Sequence, residues 1–141
     1  MEGSAARANP LRGVERGRAE EIRSAVSDRA AIASAAQAAQ TLADPTRLTI
    51  AASLLAGSEL CVTDLAWIVG KRQNLVSHHL RLLKNAALVA SHRQGRLLVF
   101  GLTARGVTLV NTVLAPSPLA LALVSETADA AAIIGGAVTT P

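Results

Sequence analysis

The stretch Gln73-Asn74-Leu75-Val76-Ser77-His78-His79-Leu80-Arg81-Leu82-Leu83-Lys84-Asn85-Ala86 decides how this chain is read. On a helical wheel Val76, Leu80, Leu83 and Ala87 fall on one side, spaced four, three and four. Asn74, Ser77, His78, Arg81 and Asn85 fall on the opposite side. One face is apolar and favours burial. The other carries donors and acceptors of the kind that read base edges in a DNA major groove. Asn suits adenine, Arg suits guanine, and Ser serves a base or a phosphate. A helix face made only for water usually carries Glu and Lys, so groove readout is favoured over plain solvation.

Working outward, Gly70-Lys71-Arg72 reads as a turn, preceded by a brief helix over Cys61 to Val69. Asp64 falls in its first turn, where a negative charge meets the helix dipole favourably. On the other side, Leu88 to Arg93 and Arg96 to Leu102 are β-prone runs joined by Gln94-Gly95. The glycine supplies the positive φ that a tight hairpin needs. Arg93, Gln94 and Arg96 sit at the tip, suited to lie along phosphates or enter a minor groove. A basic hairpin tip alone is more often an ordinary surface turn. Its place after a helix-turn-helix reverses that reading. Lys71, Arg72 and Lys84 flank the groove-facing surface as phosphate contacts, setting affinity and its salt dependence. Gln73 opens the same helix and joins the DNA-binding set.

Upstream, Asp44-Pro45 marks a helix start, with Asp capping free amides and Pro tolerated in the first turn. Leu48, Ala51, Ala52 and Leu55 then recur at helical spacing as far as Gly57, and Glu59-Leu60 is a short extended link. Ala19 to Ala43 is helical, with a break near Ser27-Asp28, and residues 1–18 form an expected disordered arm. Downstream, Val107, Val110 and Leu114 share a face of a helix over Thr103 to Leu114, stopped by Pro116 and Pro118. Leu119 to Ile134 is Ala-rich and is expected to form a last helix within a C-terminal segment, 116–141. The fold class is mainly α with a small β-hairpin, a dimeric winged helix-turn-helix whose core spans 19–115.

Composition agrees with that plan. Half of the 141 residues are hydrophobic, yet Trp67 and Phe100 are the only aromatics, so Ala, Leu, Val and Ile must build the core. The net charge is +4, and its distribution matters more than its size. From Leu65 to Ser125 there is no Asp or Glu, while Lys71, Arg72, Arg81, Lys84, Arg93, Arg96 and Arg105 all fall there. A surface meant for water interleaves both signs; this one faces something negative. A single cysteine excludes an internal disulfide and suits a reducing compartment. No signal peptide is read at the start, and the apolar run Leu119 to Val124 is too short to cross a bilayer. A cytoplasmic protein with no membrane partner is expected.

Four segments carry a resemblance to a known family: Leu42-Ala43-Asp44-Pro45-Thr46-Arg47, Glu59-Leu60-Cys61-Val62-Thr63-Asp64-Leu65-Ala66, Ser77-His78-His79-Leu80-Arg81 and Gln94-Gly95-Arg96. Over about Gln37 to Leu114 the chain resembles the ArsR/SmtB metalloregulatory repressors, nearest the cadmium- and lead-sensing branch. The resemblance implies a homodimer, formed mainly by the first and last core helices. It binds a double-stranded DNA operator and releases it when an effector binds. A two-fold protein reading a palindrome also doubles the contacts of one short helix.

The metal ligands of that family are incomplete here. The cadmium-sensing branch carries Cys-Val-Cys where this chain has Cys61-Val62-Thr63, and a hydroxyl does not replace a thiolate for soft metals. The zinc-sensing branch places Asp-x-His after the wing, where this chain has Thr103-Ala104-Arg105. Cys61 and Asp64 match ligand positions in some relatives and are the candidate metal residues, for Cd, Pb or Zn. Against that, Cys61 caps or packs the short helix and Asp64 serves its N-terminus. A thiol switch at Cys61 or a small-molecule effector are the other readings of the trigger. His78 lies on the DNA-facing side, His79 borders the apolar face as a hydrogen-bonded core residue, and His92 makes a backbone or surface contact. Trp67 reads as core packing or part of a dimer seam. An enzyme is disfavoured, because nothing around Cys61 activates it and no phosphate-binding Gly loop is present. A degenerate dimer that binds proteins, or DNA without sequence choice, is the remaining rival.

Overall fold

In the computed structural model the structure describes residues 11–118, and the chain divides into two units, Met1–Ala36 and Gln37–Pro141. The first unit contributes helix α1, Arg16–Ala25, and the beginning of α2, Arg29–Leu42. No residue of α1 is buried. The helix starts within the stretch expected to be irregular, because Arg16 to Arg18 join a run of good helix formers and Arg18 pairs with Glu21 at 3.1 Å. The expected break at Ser27-Asp28 is present, and Asp28 Oδ1 accepts the Ala31 amide at 3.0 Å as α2 begins. The expected last helix, Leu119 to Ile134, lies outside the described residues, as does the start of the expected arm.

In the second unit, α3 (Pro45–Gly57) starts as its residues dictate. Asp44 Oδ2 accepts the Arg47 amide at 2.9 Å and Pro45 occupies the first turn. There follow β1 (Glu59–Cys61), α4 (Val62–Val69), α5 (Gln73–Asn85), β2 (Val89–Gln94), β3 (Leu97–Leu102) and α6 (Ala104–Leu114). Leu42, Ile50, Leu54, Leu65, Val76, Leu80, Leu83, Leu88 and Val110 are fully buried and join one aliphatic core.

Two details of the β structure depart from expectation. The hairpin has a third strand: β1 pairs antiparallel with β3, giving the order β1-β3-β2 and the register Leu60 to Phe100 and Cys61 to Val99. Pairing satisfies backbone groups that an extended link would leave to water, and it draws Cys61 into the strand rather than the helix. The hairpin turn lies one residue later than expected. Gln94 pairs with Leu97, so Gly95-Arg96 is the connection. Gly95 takes φ 65 as its first central residue, while Arg96 keeps negative φ, as in a II′ turn.

The end of α5 is fastened in three ways. Ala87 takes φ 61, its amide bonds the Lys84 carbonyl at 2.9 Å, and the Leu88 amide bonds the Leu83 carbonyl at 3.0 Å. This is a Schellman closure built on alanine. Ala87 therefore leaves the helix and is exposed, against its expected place on the apolar face, and Ala86 is buried in its stead. Thr103 then ties helix to helix: its Oγ1 donates to the Ala87 carbonyl at 2.7 Å and accepts the Gly106 amide at 3.0 Å as the N-cap of α6. Gly106 packs so closely that an added Cβ would be driven into the Leu88 carbonyl oxygen.

Candidate DNA interface

Helix α4 closes at Gly70, whose amide returns to the Ala66 carbonyl at 2.9 Å, and the chain turns through Lys71 and Arg72 into α5. The first residues of α5 are therefore held at a fixed exit from the turn. Val76, His79, Leu80 and Leu83 are its buried residues. Gln73, Asn74, Ser77, His78, Arg81, Lys84 and Asn85 are all exposed. Lys71 and Arg72 at the turn are exposed too. The helix has one apolar side in the core and one hydrogen-bonding side in solvent.

The wing brings its own cations. Arg93, Gln94 and Arg96 are exposed, but alternation along β2 sends Arg93 and Gln94 to opposite faces. Arg93 shares its face with Ser91, and Ser91 Oγ accepts from Lys84 Nζ at 2.8 Å. That bond links the last turn of α5 to the wing, so Lys84 positions the hairpin as well as offering charge. On the other face, His92 Nδ1 and Glu59 Oε2 approach to 3.4 Å. His92 thus meets a carboxylate across the sheet.

Behind the exposed face, α5 is held by a polar relay. His79 is 9% exposed. Its Nδ1 faces Arg47 Nη1 at 3.3 Å, and Arg47 Nε donates to the Thr41 carbonyl at 2.7 Å. Burial pushes the His79 imidazole below its ordinary pKa; Asp44 pulls it back, while Arg47 and His78 reinforce the depression. The bond from the Arg47 amide holds the Asp44 carboxyl below the usual carboxylate range, opposed by partial burial. Sequence periodicity marks His79 as inward, and the structure supplies its partner, Arg47, which periodicity does not reveal. Ser91 and Thr103 were equally invisible, because cross-element bonds leave no period. Gly106 had a signal: a glycine inside a helical pattern points to a close approach.

The candidate metal residues do not form a centre. Cys61 occupies the N-cap position of α4, but its side chain makes no capping bond; it is a free, partly exposed thiol. Asp64 lies in the first turn of α4, exposed. Among the described residues no group of three His, Cys, Asp or Glu could hold a metal ion. Two donors do not complete the thiolate-rich set that Cd or Pb prefers, nor the four His, Cys or carboxylate ligands of a Zn site, so the described residues alone do not fit a resident metal. Trp67 is 86% exposed on α4, which removes it from the core. Among the described residues no helix is long and apolar enough to cross a membrane.

Residues 44–91, from the α3 N-cap through α5 into β2, match the family model for bacterial regulatory proteins of the arsR family. A solved homodimeric winged helix-turn-helix DNA-binding domain from Mycobacterium bovis superposes with a TM-score of 0.56 at 30% identity, covering 62% of this chain and 83% of that one. The chain belongs to the arsR family. This arsR-family chain is 47% identical over 79 residues to the HTH-type transcriptional regulator NmtR of Mycobacterium tuberculosis, covering 56% of the chain and 65% of that protein. It is 41% identical over 63 residues to a cadmium resistance regulatory protein, a CadC homolog of Staphylococcus aureus, covering 45% and 52% respectively. The chain thus spans between half and two thirds of the length of these curated relatives. Both are named as transcriptional regulators, in line with a non-enzymatic reading, and the fold is the winged helix-turn-helix expected from the motif order.

Proposed function

We propose that this chain is a sequence-specific DNA-binding regulator, a homodimeric repressor acting in the cytoplasm. It binds a double-stranded operator and leaves it when an effector binds. The observation that carries the reading is the two-sidedness of α5: Val76, Leu80 and Leu83 buried, with Asn74, Ser77, His78 and Arg81 in solvent. In this reading Asn74, Ser77, His78 and Arg81 reach base edges, with Gln73 beside them. Lys71, Arg72, Lys84, Arg93, Gln94 and Arg96 meet the backbone along the groove and at the wing. The acid-free stretch from Leu65 to Ser125 supports it, since its seven cations include those of the turn, of α5 and of the wing, with no Asp or Glu among them in the sequence. Two copies reading two half-sites would supply the contact area that one short helix lacks.

The test is a fluorescence-anisotropy titration of the whole chain against duplexes from its own upstream region and against scrambled duplexes of equal length. Tighter binding to one upstream duplex, with a steep salt dependence, is expected. Equal affinity for the scrambled duplex would replace specific repression by non-specific binding, and no affinity for either would leave a dimeric interaction module.

A further inference from the structure

The second unit contains a cleft of about 280 Å³, open to solvent on one side and lined by Gln37, Gln40, Thr41, Arg47, Leu82 and Asn85. These residues come from the end of α2, the start of α3 and the last turns of α5. The chemistry of the lining is specific. Arg47 is its only charged group, accompanied by three side-chain amides, one hydroxyl and one leucine. Arg47 already uses Nε on the Thr41 carbonyl and Nη1 on His79, whereas Nη2 has no bond among the described residues. The neighbouring acid, Asp44, directs Oδ2 to the Arg47 backbone amide at 2.9 Å and is committed to capping α3.

Resting on the repressor reading above, we propose that this cleft is the effector site and that its ligand is a small organic monoanion, a carboxylate bearing hydroxyl or amide groups. The guanidinium supplies a planar fork matched to a carboxylate, and Gln37, Gln40 and Asn85 supply donors and acceptors for the uncharged groups. The volume lies just below the usual range for ligand pockets and suits a compact metabolite rather than a cofactor. The walls explain why such a ligand would act. Leu82 and Asn85 belong to the helix assigned to DNA, and Arg47 also holds His79 on the buried side of that helix. A carboxylate on Arg47 competes with His79 for the guanidinium and resets α5 against α2. A ligand that prefers one setting of α5 necessarily changes its affinity for DNA.

The experiment follows backbone amide chemical shifts of the whole chain by nitrogen-proton correlation spectra, without DNA. Lactate, glycerate and N-acetylglycine are titrated to tens of millimolar, with lactamide as the uncharged control. Saturable shifts at Gln37 to Thr41 and at Leu82 to Asn85 are expected with at least one acid and none with lactamide. Equal shifts with lactamide, or no saturable response to any acid, would overturn the proposal. Arg47→Gln risks the fold, so Gln40→Glu is the working variant. It sets a fixed carboxylate in the lining, which competes with the ligand's own for the guanidinium, and is expected to weaken acid binding by about tenfold or more. Unweakened binding in that variant moves the site elsewhere. The acid that binds should then lower operator affinity by about tenfold, and an unchanged affinity removes the effector role. Because the shifts are read without DNA, a chain that reads an operator but takes no acid defeats the cleft alone. One that takes an acid but reads no operator defeats the repressor reading.

Discussion

His79 illustrates how a single side chain can be constrained by its surroundings. The folded protein resists protonating it, because burial and Arg47 both oppose a second positive charge, while the unfolded chain takes up a proton near the ordinary value of 6.5. The unfolded state therefore binds more protons below that value. Stability is full above it and declines as the pH falls through it toward the lower folded pKa. Asp44 adds a second loss further into acid, as the pH falls from the ordinary carboxylate value through its lower folded value. Melting temperatures measured across the imidazole range check the first step, and His79→Asn should flatten it. An unchanged melting temperature down to the carboxylate range would refute it. On the opposite face, Arg81→Ala should cost roughly 1–3 kcal/mol in specific binding and relax base preference at one position. Arg96→Ala should weaken all duplexes alike and shallow the salt slope. The sidedness of these residues was legible because burial follows a period of 3.6. The partnership of Arg47 with His79 was not, since a period says which way a residue faces and never what it meets.

At the scale of elements, the joint after α5 combines a strained residue with tight packing. Ala87 holds a left-handed conformation that costs an L-residue about 1 kcal/mol, so Ala87→Gly should raise stability by about that amount in a denaturant titration. A lowered midpoint would mean that the Ala87 methyl contributes more than the backbone strain it carries. Gly106→Ala should do the opposite, losing roughly 1–3 kcal/mol or more as the new methyl pushes against the Leu88 carbonyl. Wild-type stability in that variant would show that α6 can slide away from the helix end. Helices α3, α5 and α6 could be read from the chain because each has a start signal or a clear apolar stripe. Strand β1 was missed, for three residues are too few to show alternation and only the partner strand makes them a strand. The hairpin turn was displaced by one residue because Gln94-Gly95 and Gly95-Arg96 both place the glycine centrally, and only cross-strand register separates them.

For the whole molecule, the chain's single thiol bears on how it would answer soft metals. Zinc or cadmium added to a metal-free protein–operator complex should leave the affinity almost unchanged, since Cys61 and Asp64 have no companion ligands among the described residues. Release driven by either metal in an anisotropy titration would show that ligands gather from beyond the described residues. Concentration-dependent sedimentation should show two copies per particle, the arrangement that two half-sites demand. One more property follows from where the single indole sits. Trp67 is almost wholly exposed on the single chain and the chain has no tyrosine, so its ultraviolet emission comes from one fluorophore that the chain's own fold leaves wetted. Denaturation will scarcely shift that colour, and folding must be tracked by circular dichroism; a blue shift, when seen, will announce that something has settled over the first helix of the DNA-reading pair.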